Sequence, residues 1–255
     1  MSAAVDGWRL ALGTFTAIPT SPPEAVDSRR MALSLLFSPL AFGLWAIGAG
    51  IVLALGEAAG ISALPLATVG VLLLVLGNRA FHLDGLADTA DALASSYDRE
   101  RSLDVARLGN VGPAGVAAIV LVLVLQISAA SALLEHQHGV WVFVALAALA
   151  RLATTTGATR GVPAARTEGL GASIAESVPR WVTLIVWFAL IAAIWGLSIA
   201  IDFGSPVPVY GALLAGIVVA ALVRRCISRL GGIIGDALGA SVEIAFAVFL
   251  LGFAI

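Results

Sequence analysis

The chain has 255 residues, 60% of them hydrophobic and 12% charged, and its mean hydropathy of +1.03 is far above what a soluble domain of that size needs. It reads as an integral membrane protein. A formal charge of −2 gives no basic patch for nucleic acid. The single cysteine, Cys226, excludes an intrachain disulfide framework and any zinc pattern, and a structural role suits that thiol.

From the N-terminus, the apolar stretch Trp8 to Thr20 is brief and is interrupted by Pro19, Pro22 and Pro23, so it reads as an interfacial or re-entrant piece. No compact basic, apolar and small-residue series marks a cleaved signal peptide. A spanning helix needs about 20 mostly apolar residues, and seven stretches come close: 32–56, 61–78, 113–134, 139–160, 181–201, 207–223 and 236–255. The second and sixth are short. Pro39 and Pro65 are tolerable as kinks or near helix ends, where neighbouring helices satisfy the freed carbonyls. Without an internal repeat or a low-complexity linker, the expected fold is all-α: one polytopic membrane helical bundle of about seven transmembrane helices, a single domain over 1–255.

Orientation follows from the basic residues, all of which are arginines. Arg9, Arg29 and Arg30 precede the first span, and Arg79, Arg99, Arg101 and Arg107 lie between the second and third. Arg160, Arg166 and Arg180 lie at or after the end of the fourth, and Arg224, Arg225 and Arg229 follow the sixth. The connections after spans one, three and five contain none. The positive-inside rule therefore puts the N-terminus and the motif-bearing connections in the cytoplasm, and seven spans put the C-terminus outside. Arg151, within span four, is the exception.

Between the second and third spans, the run Phe81-His82-Leu83-Asp84-Gly85-Leu86-Ala87-Asp88-Thr89-Ala90-Asp91-Ala92-Leu93 sets three carboxylates among otherwise uncharged residues. On an α-helix Asp84, Asp88 and Asp91 share an arc of roughly 60°. Like charges at that spacing weaken a helix by a few tenths of a kcal/mol, about 0.2–0.5 per pair, so the arrangement makes sense against a cation. Carboxylates without a partner Cys suit a hard ion, Mg²⁺ or Mn²⁺. A solvated polar helix between spans is the plainer alternative, since acids favour a first turn. His82 falls nearly opposite the acidic face, which argues against ligation by that side chain.

Three further elements fall on the same side. Asn110-Val111-Gly112-Pro113-Ala114-Gly115 enters span three, where Gly112 and Gly115 either admit a ligand or merely punctuate the chain. Arg166-Thr167-Glu168-Gly169-Leu170-Gly171 joins an arginine to a glycine turn, as a phosphate clamp or as a topological signal. The last connection carries Gly231, Gly235 and Gly239 at the four-residue spacing of close helix packing, together with Asp236 and Glu243 on one helical face. Close packing there would bring Asp236 towards the first motif. Arg151 and Glu243 lie at matched depth, roughly 10–14 Å from their helix ends, and are expected to pair because an unpaired charge in hydrocarbon costs at least about 2.5–3.5 kcal/mol. No Ser-His-Asp or Cys-His set assembles on this face. Carboxylates, arginines and glycine turns together suggest metal-assisted phosphoryl transfer, without naming a substrate.

The run from His82 to Leu93 closely resembles the signature of the cobalamin synthase (adenosylcobinamide-GDP ribazoletransferase) family. Phe15-Thr16-Ala17-Ile18-Pro19, Val111-Gly112-Pro113-Ala114-Gly115-Val116, Arg166-Thr167-Glu168-Gly169-Leu170-Gly171 and Gly231-Gly232-Ile233-Ile234-Gly235-Asp236-Ala237-Leu238-Gly239-Ala240 agree with it in order along nearly the whole chain. The resemblance implies a Mg²⁺-dependent enzyme of the cytoplasmic (inner) membrane. A ribose hydroxyl of α-ribazole, or of its 5′-phosphate, would attack the cobinamide-bearing phosphorus of adenosylcobinamide-GDP and release GMP. On that reading Asp84, Asp88, Asp91 and Asp236 are the metal and catalytic set. Arg79, His82, Arg151, Arg166, Glu168, Gly112, Gly115, Gly235 and Glu243 are the candidate substrate contacts. The chain departs from the family pattern at Leu108-Gly109-Asn110 and at Ile234. A CDP-alcohol phosphotransferase is a second enzyme reading, although Ala87 and Asp88 break its motif. A membrane transporter is the reading from another class, although polar groups gathered at one face without a repeat fit it less well. Oligomeric state is not readable.

Overall fold

The computed structural model describes residues 2–107 and 109–255; Leu108, one of the departures from the family pattern, lies outside them. Among the described residues the chain forms helices, with two isolated bridges and no strand. The first, α1 (Ala3–Phe15), is capped by the Ser2 hydroxyl and lies against α2 (Ser28–Ala58). The stretch expected at the interface is thus a helix laid on the first span. Contact is close at Gly7, where a Cβ would stand 2.7 Å from the Leu33 Cβ. The Asp6 carboxylate, fully buried, accepts from the Arg30 Nε at 2.8 Å and from the Glu24 N–H at 3.1 Å. The guanidinium, then the backbone N–H, hold that carboxyl below its ordinary value.

The next helix, α3 (Ala63–Gly77), is only 15 residues long, and the chain then bends by 87° into α4 (Phe81–Ser95). At the bend Arg79 and Ala80 are both left-handed, at φ 59°, a conformation that costs side-chain-bearing residues about 1–3 kcal/mol each. Neighbouring groups fasten it. The Arg79 guanidinium donates to the Gly13 carbonyl at 3.1 Å, the Ala17 N–H donates to the Gly77 carbonyl at 2.6 Å, and the Trp45 indole donates to the Leu73 carbonyl at 2.7 Å. So the helix that carries the acidic motif is aimed by tertiary contacts with α1 and α2.

After α5 (Arg99–Val105) come α6 (Pro113–Leu134) and the run Gly139–Gly157. That run consists of α7 (Gly139–Leu149), a 3₁₀ turn at Ala150–Ala153 and α8 (Thr154–Gly157). A short α9 (Leu170–Ile174) precedes α10 (Arg180–Ala200), α11 (Val207–Leu230) and α12 (Gly235–Gly252). Among the described residues six helical runs are long and apolar enough to cross a membrane, and the bent pair α3 and α4 would make a seventh. Six of the expected spans are thus long enough by themselves, whereas the second, 61–78, holds the 15-residue α3 and reaches spanning length only together with α4. The sixth runs seven residues beyond its expected end at 223, because arginine is a good helix former and the helix stops only at left-handed Gly231. Gly231 is thereby an end cap, separate from the Gly235 and Gly239 of α12.

The centre of the bundle is α12, buried along most of its length and packed against α4, α6 and α11. Three arginine-bearing connections meet at one end. Arg99 donates to the Ala165 carbonyl at 3.1 Å, Arg166 to the Leu103 carbonyl and Arg229 to the Ser96 carbonyl. The connection between α8 and α10 is held to the start of α12 by the Ala165 N–H donating to Ile233 at 2.9 Å and the Ile233 N–H donating to Pro163 at 2.8 Å.

Candidate active site

Small residues let α4 and α12 touch. A Cβ at Gly85 would stand 2.6 Å from the Asp236 carbonyl oxygen, and one at Gly239 would stand 3.0 Å from the His82 Cα. Helices drawn that close bring the polar side chains at their ends into one another's field. Asp84 is exposed, Asp88 and Asp91 are buried, and Asp236, in the first turn of α12, is half-buried. The carboxylates of Asp84, Asp236 and Asp91 and the Arg166 guanidinium all act electrostatically on Asp88. Four acids and one fixed cation therefore share one end of the α4–α12 seam.

Asp91 has an additional duty. Its two oxygens accept the Gly112 N–H at 2.6 Å and the Gly115 N–H at 2.9 Å, which fastens the start of α6 to α4 and answers two of the three orphan donors left there by Pro113, which has no N–H. Gly112 and Gly115 thus present their N–H groups to this carboxylate. A carboxylate has about four lone-pair sites, so two remain for other partners.

A cavity of about 190 Å³ opens beside Asp236, lined by Phe81, Arg166, Glu168, Gly169, Gly171 and Gly235 among others. Burial, and then the Arg107 guanidinium, lower the Arg166 pKa from its ordinary value, while Asp236, Asp104 and Asp88 oppose that shift. The buried Nε of Arg166 has no hydrogen-bond partner among the described residues. Arg166 on the wall of a cavity also lined by Asp236 and Glu168 fits a site that takes a phosphate and a cation together. Among the described residues no three His, Cys, Asp or Glu side chains form a ready-made metal cage. The donor set is nevertheless all carboxylate oxygen, the chemistry of a hard divalent ion.

Deeper residues form a separate polar group. His82, 2% exposed, is no part of the cavity wall: its Nδ1 lies 3.0 Å from the Asn78 Nδ2 and 3.7 Å from a Glu243 oxygen, and its ring packs edge-on to Phe15. Arg151 and Glu243 occupy facing helices, yet the expected direct pair is not formed among the described residues. The 3₁₀ turn breaks α7 and α8 at Arg151, whose guanidinium stacks 3.3 Å above the Phe42 ring and donates to the Ala147 carbonyl. Glu243 is answered instead by Gln126 of α6, whose amide donates to it at 2.8 Å. Arg79 serves the bend. The sequence pattern did not single out Asn78, Gln126 or Phe42; Gln126 had a legible signal, as a lone amide in an otherwise apolar span, whereas the Phe42 stack had none.

The cobalamin-5-phosphate synthase family model matches residues 7–254. A Nocardioides protein described as an adenosylcobinamide-GDP ribazoletransferase is 40% identical over 253 residues, covering 98% of both chains. Proteins of the same description from Frankia casuarinae and Pseudomonas entomophila are each 36% identical, covering 95% and 96% of this chain and 92% and 97% of their own. No solved structure matches. With the match running through the α4 motif, the Arg166 connection and the start of α12 alike, the chain belongs to the cobalamin-5-phosphate synthase family.

Proposed function

We propose that this chain is an adenosylcobinamide-GDP ribazoletransferase acting at the cytoplasmic membrane. A ribose hydroxyl of α-ribazole, or of α-ribazole 5′-phosphate, forms a bond to the phosphorus that carries cobinamide. The bond from that phosphorus to the bridging oxygen breaks, and GMP leaves with that oxygen. The product is adenosylcobalamin or its 5′-phosphate. The observation that carries this reading is the gathering of Asp84 and Asp88 from α4 with Asp236 from α12 beside Arg166, in a chain of this family.

Arg166, with its unanswered Nε, would hold oxygens of the diphosphate, and Glu168 and Gly235 would shape the same cavity. Asp236 would accept the proton of the attacking hydroxyl. Asp84, Asp88 and Asp236 would hold Mg²⁺, with Asp91 contributing its remaining lone pairs while it anchors α6. When bound, the ion would neutralise charge on the diphosphate. The arginines that tie the three connections together support a cytoplasmic placement of this end by the positive-inside rule. Labelling of single cysteines at positions 100 and 170 from the cytoplasm, and at 137 from outside, tests that orientation; the reverse pattern overturns it.

The decisive experiment supplies detergent-purified protein with adenosylcobinamide-GDP, α-ribazole and Mg²⁺ and measures GMP and cobalamin. Equal amounts of both are expected, with neither from the Asp84→Asn protein. Folded wild-type protein that forms no cobalamin would refute the assignment.

A further inference from the structure

Sharing no lining residue with the cavity beside Asp236, a groove of about 680 Å³ lies between α10 and α11. Leu184 and Ile191 of α10, Leu213 and Ile217 of α11, and Thr159 and Val162 before α10 contribute to its walls. Leu184 is 71% and Ile217 66% exposed, so the groove opens towards lipid. Two arginines stand at one end: Arg180, the first residue of α10, and Arg224, in the closing turns of α11. Neither belongs to an ion pair among the described residues. Arg180 donates its Nε to the Arg160 carbonyl at 2.8 Å, which fixes the side chain; its Nη2 lies against Gly161, and neither terminal nitrogen has a hydrogen-bond partner among the described residues. Exposed Trp181 lies next in sequence, as aromatic residues do at headgroup level.

The dimensions suit one leaflet. From Arg180 to Ile191 the helix rises roughly 17 Å, close to half of the about 30 Å of bilayer hydrocarbon. With the cations at headgroup depth, the apolar walls would reach about the midplane. Among the described residues no acidic side chain lines the groove, so the ammonium of a zwitterionic headgroup would find two cations and no carboxylate on its walls. A second copy of an apolar helix would fill the walls and leave both guanidiniums unanswered. We propose that the groove binds an anionic phospholipid, with its phosphate between Arg180 and Arg224 and an acyl chain between α10 and α11.

The test uses full-length, delipidated protein in neutral detergent. It is titrated with phosphatidylglycerol or phosphatidylcholine of matched acyl chains, and bound lipid is counted by native mass spectrometry. Wild type should retain phosphatidylglycerol about tenfold better at its first site, since basic residues near a membrane surface act in that range. The Arg180→Gln/Arg224→Gln protein should fall to within about twofold of parity. Ala220→Trp, which fills the groove, should lower retention of both lipids, while Arg225→Gln, outside the groove, should match wild type. Each variant is compared by its gel-filtration profile, and the groove-filling variant carries the test if the double variant aggregates. Equal retention of both lipids by wild type, or a preference that survives both the double and the groove-filling variants, overturns the proposal. So does an Ile217→Cys disulfide dimer that forms equally with and without phosphatidylglycerol, which would assign the groove to a second copy.

Discussion

Two neighbouring helix pairs treat the space between them in opposite ways. Along α4 and α12, Gly85 and Gly239 let backbone meet backbone, and the polar groups Asp84, Asp88, Asp236 and Glu243 gather around that seam. Along α10 and α11, Leu184, Trp187, Leu213 and Ile217 hold the helices apart around a groove of about 680 Å³, more than three times the roughly 190 Å³ beside Asp236. Cavity size is therefore no guide to where the carboxylates gather. In hydrocarbon apolar side chains gain little by leaving lipid, so close contact depends on small residues and polar bonds.

The comparison breaks most severely if the carboxylates are neutralised. Asp84→Asn and Asp88→Asn should each reduce turnover by about 10³-fold or more, the scale of lost transition-state charge stabilisation. The thermal midpoint without divalent ion should hold or rise, because like-charge repulsion is relieved. Parallel assays of cobalamin formation and unfolding separate these effects, and near-normal turnover would remove the residue from the site.

Opening the seam comes next. Gly85→Val puts side-chain atoms against the Asp236 carbonyl, where a Cβ already stands 2.6 Å away. A misplacement of about 1 Å at such a site costs roughly 10²-fold in rate, and overpacking costs about 1–3 kcal/mol of stability. The matching change on the splayed pair, Gly216→Ala, meets the Trp187 ring at 3.4 Å, an ordinary contact, and should leave both readings near wild type.

Smaller effects belong to the groups that brace the seam. Gln126→Leu removes the amide that answers Glu243 and should destabilise the bundle by about 0.6–1.7 kcal/mol, the measured range for hydrogen bonds between membrane helices. Unfolding midpoints should move more than the KM for either substrate. The smallest effect is expected at Asp6, whose carboxyl is held below its ordinary value first by Arg30 and then by the Glu24 N–H. A carboxyl lowered in the folded state stabilises above its unfolded value of 3.8 and loses that contribution as pH falls through the lower folded value. Acid should therefore loosen α1 from α2, and Asp6→Asn should loosen it at neutral pH without stopping turnover. Protease accessibility of residues 16–27 reads both.

Much of this was legible in one dimension because the bilayer is a demanding solvent. Long apolar runs must be helices, since hydrocarbon offers no partner for an open backbone, and the seven expected stretches each hold a helix. Asp84, Asp88 and Asp91 were visible as one face because helical geometry makes their spacing an arc, and the family motifs around Arg166 and Asp236 stood out against an almost uncharged chain. Other features depend on residues far apart in sequence. The left-handed bend at Arg79 and Ala80 is braced from Gly13 and Ala17. Asp91 is spoken for by Gly112 and Gly115, 21 and 24 positions away. Arg151 stacks on Phe42 while Glu243 turns to Gln126. Composition and periodicity thus determined which segments are helices and which residues carry charge. Only the tertiary structure decided which polar groups meet, because partner choice among buried charges depends on depth, approach and available donors that no local pattern encodes.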